Sequence, residues 1–358
     1  MNGPALKPPP GVKPDFSEFT SRNSLAHGVF SASIVVSTIL VGLQIYSRVK
    51  CYRKFAIEEG IAVAALGCFA IFVYYLWKIN NTVGIFTHQW NLQLKTMPTF
   101  LYNVSAASAT YGVVIMLIKA GILLHWARVF VPAGIHNKFW WTCHIILWIN
   151  AVFYTITVII EIFGCTPRHK IWTPWVPGKC LDMAEVILAS SFVNFFSDLI
   201  ILLVPQMVVW KLQLPLRKKL GIAGLFAMGL FATVGAGFRM KSAFAFAKDP
   251  DMSYTISELG LWCFAEMVPG FFLLSLPCLP ILFKTSPLLQ RTFVAIRSLT
   301  GRSKNSSRER PTRTSSALRA RIKPRRDPDA DLFTDTHRSS RTFIPLTDVE
   351  TSKSGMER

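Results

Sequence analysis

The amino-acid sequence predicts an all-α, polytopic membrane protein: a seven-transmembrane-helix bundle with the N-terminus outside and a basic cytoplasmic tail. Three observations predict it. Of 358 residues, 51% are hydrophobic and only 16% charged, and the mean hydropathy is +0.37; a soluble chain of this size carries more charge on its surface. The apolar residues gather into seven runs, each long enough to cross a hydrocarbon core of about 30 Å as a helix of about 20 residues. The short loops between the runs alternate in basicity, as the cytoplasmic and outer loops of membrane proteins do.

Residues 1–25 are polar and Pro-rich and form an extracellular N-terminal segment. They do not resemble a cleavable signal, because the first apolar run is long enough to span and stay. The runs are Ala26–Ser47, Gly60–Trp77, Leu101–Phe130, Phe139–Phe163, Met183–Trp210, Leu220–Phe246 and Leu259–Phe283. Non-helical backbone facing lipid would leave amides without partners, so each run reads as a helix and residues 26–283 as one membrane domain. Segments 48–56, 125–138 and 211–219 carry ten Lys/Arg, against six in the alternate loops. That excess fixes the expected orientation, N-terminus out and C-terminus in.

The loops placed outside hold three features. Asn80-Asn81-Thr82 is a glycosylation sequon, read either as an acceptor at Asn80 or as a chance occurrence. Trp172 and Trp175 suit an interfacial aromatic belt. Cys165 and Cys180 share one loop in an oxidising compartment, which favours a disulfide over two free thiols. Closing a loop of about 15 residues would stabilise by roughly 3 kcal/mol on the chain-entropy model. The other cysteines are scattered and no Cys/His cluster forms, so no metal is expected.

Residues 284–358 hold 17 Lys/Arg against 8 Asp/Glu. This Ser/Thr/Arg/Pro-rich tail cannot bury a core and reads as disordered. Its clusters at Arg319, Arg321, Lys323, Arg325 and Arg326 suit an anionic leaflet rather than nucleic acid. Together with the inner loops, Arg48–Lys54 and the basic set Lys211, Arg217, Lys218 and Lys219, it forms the surface for a cytoplasmic signalling partner.

Ionisable groups inside the spans are costly and are functional hypotheses by default. Lys119, Asp198, Arg239 and Glu266, with Asn194 one turn before Asp198, make an intramembrane polar cluster. Counting from the expected outer ends at about 1.5 Å per residue, Lys119 lies about 27 Å deep and Asp198 about 22 Å. Arg239 and Glu266 both lie about 10 Å deep. Two pairs at separate depths are therefore expected, Lys119 with Asp198 and Arg239 with Glu266. Such pairs can fix helix register or serve a ligand or a switch. Pro205, Pro269, Pro277 and Pro280 are expected to bend helices five and seven.

No Walker loop, GxSxG or HExxH is present, so no enzyme activity and no cofactor are expected. His144 alone among the histidines falls well inside a span, which argues against a paired-histidine haem site. No matching pair of interrupted helices marks an inverted-repeat transporter.

From about Phe30 to Phe283 the chain resembles the fungal rhodopsin-domain family of membrane proteins, which includes Pth-type receptor-like and satratoxin-cluster proteins. The resemblance rests first on Lys119-Ala120-Gly121-Ile122-Leu123-Leu124 with Arg128-Val129-Phe130, and on the loop Cys165-Thr166-Pro167 with Trp172, Gly178 and Cys180. Its most specific stretch runs from Asn194, Asp198 and Pro205 to Trp210-Lys211-Leu212-Gln213-Leu214-Pro215 and Arg217-Lys218-Lys219-Leu220-Gly221. Phe226, Gly229, Arg239, Glu266 and Cys278-Leu279-Pro280 follow with family spacing. The chain departs at Glu58-Glu59, where two aspartates are usual, at Ala120, where a serine is common, and around His88. Despite the family name, a retinal Schiff base needs a last-helix lysine, and Leu259–Phe283 contains none.

The expected function is that of a receptor-like protein, in the plasma membrane or another endomembrane, that senses an extracellular or membrane-borne small ligand without retinal. The alternative is a transport or accessory component of a secondary-metabolite pathway.

Overall fold

A computed structural model of the protein describes residues 3–16, 23–49, 57–131, 134, 137–209 and 216–275. Among them are seven α-helices: α1 (Asn23–Ser47), α2 (Ile57–Thr82), α3 (Met97–Phe130), α4 (Lys138–Phe163), α5 (Met183–Val209), α6 (Leu216–Lys248) and α7 (Met252–Ser275). Six of the seven, all but α6, are long and apolar enough to cross a membrane by length and composition among the described residues. The chain is thus a helical, polytopic membrane protein. At 33 residues α6 spans about 50 Å, and its sequence from Leu220 to Phe238 carries no charged residue. It packs along α5 and α7.

The core of the bundle lies where α1, α2, α3 and α7 meet. Phe264 stacks on Phe30 at 5.2 Å and meets Phe72 at 5.5 Å and Phe69 at 5.9 Å, while Phe271 closes on Phe69 at 5.4 Å. Lipid is as apolar as these rings, so close packing rather than burial from water holds the helices together. Gly235 shows how close: a Cβ there would stand 3.2 Å from the Ala265 carbonyl oxygen of α7. The opposite surface is apolar and open. Trp148, Ile149, Val152 and Ile156 of α4 are all more than half exposed, the pattern of a lipid-facing side.

Several helices run past their expected ends. Helix α7 starts at Met252, seven residues before Leu259, because its polar first turns are satisfied locally. Thr255 donates to the Asp251 carbonyl (3.0 Å), Ser257 to that of Ser253 (2.8 Å), and Ser253 to that of Thr87 (2.7 Å). Helix α6 starts at Leu216, so Arg217, Lys218 and Lys219 belong to its first turn rather than to a loop. Lys211, Cys51, Pro277, Pro280, Cys278, Lys284 and the whole basic tail lie outside the described residues. Pro205 and Pro269 lie inside α5 and α7.

At the end of the bundle that carries the N-terminus, residues 3–16 are laid against the α2–α3 connection. The Ala5 amide donates to Leu92 (2.8 Å) and the Leu94 amide to Gly3 (3.1 Å). His88 of that connection is sandwiched between Trp90 (4.3 Å) and Tyr254 (4.9 Å), with its Nδ1 2.6 Å from Asp251. The α4–α5 connection is a small hairpin, β1 (Cys165–Thr166) antiparallel to β2 (Lys179–Cys180), closed by the Cys165–Cys180 disulfide. Asn80 is corrected as a glycan acceptor: it sits in the last turns of α2, 1% exposed, with Nδ2 3.0 Å from His27 Nε2. An amide so placed has no room for a sugar in the folded bundle.

Opening the hairpin should be costly. Cys165→Ser with Cys180→Ser is expected to lower stability by about 3 kcal/mol, read as an earlier thermal transition of the purified protein in detergent. An unchanged transition would mean that the hairpin is held by other contacts.

Candidate functional site

The buried charges converge between α3, α4, α5, α6 and α7. The Lys119 Nζ of α3 lies 2.8 Å from Asp198 Oδ1 of α5. It also donates to Asn194, at 2.8 Å to Oδ1 and 3.2 Å to the main-chain oxygen. Tyr154 of α4 donates its hydroxyl to the same Asn194 Oδ1. Asn194 then turns its Nδ2 to Glu266 Oε1 of α7, at 2.7 Å.

Glu266 is the second node. Its Oε2 accepts from Arg239 Nε of α6 (3.1 Å) and from the Tyr111 hydroxyl of α3 (2.9 Å). Arg239 also donates through Nη1 to Ser191 Oγ (3.2 Å) and lies over the Tyr111 ring at 5.0 Å. Ser191 hands its own proton to the Ile187 carbonyl, 2.7 Å away. Lys119, Asn194, Arg239 and Glu266 are all at most 4% exposed, so bulk water does not screen them and each depends on its neighbours.

The two expected pairs are the two that the geometry forms, yet not at separate depths. Counted from Met252, Glu266 lies about 21 Å along α7 rather than about 10 Å, level with Asp198. The early start of α7 therefore lets Asn194 join both pairs into one network. Two acids and two bases make it neutral, and this arrangement avoids an unpaired charge in a low-dielectric interior.

Tyr111, Tyr154 and Ser191 were not singled out by sequence reasoning. Hydroxyls are ordinary within spans, and only the fold shows which of them face an ion. Glu161 of α4 was missed as well. It accepts from Ser108 Oγ at 2.8 Å, and a depth count from the other charges would have flagged it.

A separate polar layer closes the end of the bundle away from the N-terminus. Arg48, just past α1, meets Glu59 of α2 at 2.8 Å, and Arg128 of α3 meets Glu58 at 2.9 Å. His125 Nε2 is 3.4 Å from Arg48 Nη2, and Ser275 of α7 donates to Gln44 of α1 at 3.3 Å. The acidic pair Glu58-Glu59 thus ties α1, α2 and α3 together.

Removing one member of a buried pair leaves the other charge without compensation. Lys119→Met and Asp198→Asn are each expected to lose about 3–5 kcal/mol, whereas the double variant should recover most of that loss. Thermal unfolding in detergent, arranged as a double-mutant cycle, measures it; strictly additive losses would mean that the two groups do not interact.

The chain matches the model of the fungal rhodopsin domain over residues 43–285. It is 34% identical over 293 residues to the Fugralins biosynthesis cluster protein 2 of Gibberella zeae, covering 81% of this chain and 73% of that one. It is 30% identical over 238 residues to a SAT4 family membrane protein of Emericella nidulans, covering 66% and 60%. A more distant relative is Receptor GIN3 of Arthrobotrys oligospora, 22% identical over 275 residues, with 72% and 64% covered. Matching over most of its helical bundle, the chain belongs to the fungal rhodopsin domain family.

Proposed function

We propose that the protein is a receptor-like sensor of a membrane-borne or extracellular small ligand, seated in the plasma membrane and read out by a cytoplasmic partner. It is not proposed to be an enzyme. One observation carries the reading: the node of the ionic network stands on the same helix wall as an apolar groove. Glu266 lies on α7 between Ala265 and Pro269, and both of those line the groove. This cavity of about 480 Å³ lies between α1, α6 and α7, with Phe231, Phe264 and Phe272 as its aromatic walls.

The groove suits an uncharged, lipid-soluble molecule, because its lining carries no ionisable side chain. Its volume is that of ordinary small-molecule sites. Pro269 has no amide hydrogen to give the Ala265 carbonyl one turn before it. That carbonyl instead lies against Gly235 of α6, so a ligand in the groove meets a mainly apolar wall. A molecule wedged there presses on the turn that holds Glu266, and a shift of α7 against α6 changes what Arg239 and Asn194 can reach. The ligand acts only through its unequal fit to the two arrangements. The likeness to Receptor GIN3 supports this reading at the level of the family.

The second reading is a transport or accessory role in a secondary-metabolite pathway, favoured by the relative named for the fugralins biosynthesis cluster. Against a polar route through the bundle stands the network itself, whose charges are committed to one another rather than to a water-filled path.

Val268→Trp fills the groove without touching the network. In wild type, uncharged lipid-soluble metabolites are expected to raise the thermal transition and to alter the protease sensitivity of the segments beyond α5 and α7. In Val268→Trp both responses should vanish, while the ligand-free transition stays within about 1–2 °C, the size of an ordinary surface change. Uptake of the same compounds into vesicles, lost in Asp198→Asn, would favour transport instead.

A further inference from the structure

Among the carboxylates of the bundle, Glu161 differs from the rest. It stands on α4 two residues before the helix ends at Phe163, and its Oε1 accepts from Ser108 Oγ at 2.8 Å. Its Oε2 is buried and has no hydrogen-bond partner. Glu161 takes part in none of the ion pairs formed among the described residues. Ser108 from α3 bonds to it, and Arg239 from α6 and Cys263 from α7 are near enough to interact with it electrostatically. Arg239 is the one cation among them, and it is held by Glu266 and, through Ser191, by α5.

A buried carboxylate oxygen with neither donor nor cation is a costly place to keep a negative charge. The neutral acid lowers that cost, because an unpartnered O–H forgoes one hydrogen bond where an unpartnered carboxylate forgoes the solvation of a full charge. The network already balances without Glu161, with Lys119 and Arg239 against Asp198 and Glu266. Counting Glu161 as ionised would leave one negative charge over.

We propose that Glu161 is a proton-binding site, and that Glu161 and Glu266 share one proton and one arginine. In the arrangement seen here the proton is on Glu161 and Arg239 is on Glu266. In the other arrangement Arg239 crosses to the ionised Glu161, and the proton that Glu161 gives up is taken by Glu266, which keeps its bonds to Tyr111 and Asn194. One O–H bond breaks and one forms, and the charge of the bundle does not change. Glu161 lies only about 3 Å from the end of α4, beneath the Cys165–Cys180 hairpin. It therefore exchanges its proton with water at the end of the bundle that carries the N-terminus. The site stands whether or not the groove binds a ligand.

Infrared spectroscopy of the purified full-length protein reads the proton directly, through the carbonyl stretch of a protonated carboxylic acid, which shifts in D₂O. Wild type minus Glu161→Gln is expected to show the loss of one such band. No difference would mean that Glu161 is ionised and would overturn the proposal. In Glu266→Gln, Arg239 has Glu161 as its remaining anion, so the Glu161 band is expected to disappear; in Glu266→Asp, which keeps the charge, it should persist. A band that survives Glu266→Gln would overturn the shared arginine. If Glu266→Gln does not purify folded, Arg239→Gln replaces it: with the shared cation gone, two acid bands are expected in place of one, and a single band would overturn the sharing.

Discussion

A charge inside a bilayer must find its counter-charge within the protein. Here that requirement falls on Asn194 and Glu266. Asn194 is the neutral link, taking protons from Lys119 and Tyr154 and giving one to Glu266. Glu266 in turn holds α6 through Arg239 and α3 through Tyr111. Five helices owe their relative register to these few bonds. A polar network of this kind is stable when every member is satisfied and is quickly disturbed when one is not. The same bonds that fix the bundle are thus the ones a ligand would most easily set moving.

Around this centre the rest of the molecule divides into two ends with different means of closure. The end with the N-terminus is covered by backbone: residues 3–16 pair with the α2–α3 connection and a disulfide closes the hairpin between α4 and α5. The other end is held by side-chain ion pairs, Arg48 with Glu59 and Arg128 with Glu58. Of these side chains only Arg128 is substantially exposed, while Arg48 and Glu59 are 12% and 2% exposed, so breaking that pair would leave a buried charge uncompensated.

Much of the fold was legible in the sequence, because a charge in an apolar run is conspicuous and helix rise turns position into depth. Lys119, Asp198, Arg239 and Glu266 could be paired in that way. Their union through Asn194 could not, because it depends on α7 beginning at Met252. The apolar count stops at Ser253, Tyr254 and Ser257, yet a helix continues through such residues whenever their hydroxyls bond to the preceding turn. Arg48 and Arg128 could be read only as marks of orientation, although each also pairs with a carboxylate of α2. Asn80 illustrates the reverse case, a motif whose local chemistry is overridden by packing against His27.

The neutrality of the central network has an electrical consequence. A membrane potential acts on displaced charge, at about 2.3 kcal/mol per elementary charge per 100 mV. Lys119 with Asp198, and Arg239 with Glu266, carry no net charge as long as each pair travels as a unit. Sliding α6 and α7 together past α5 would then transfer no net charge through the network itself, leaving Lys241 of α6 as the charge that the field acts on. A network built on such pairs can change shape in a strongly polarised membrane with little bias of its own from the voltage.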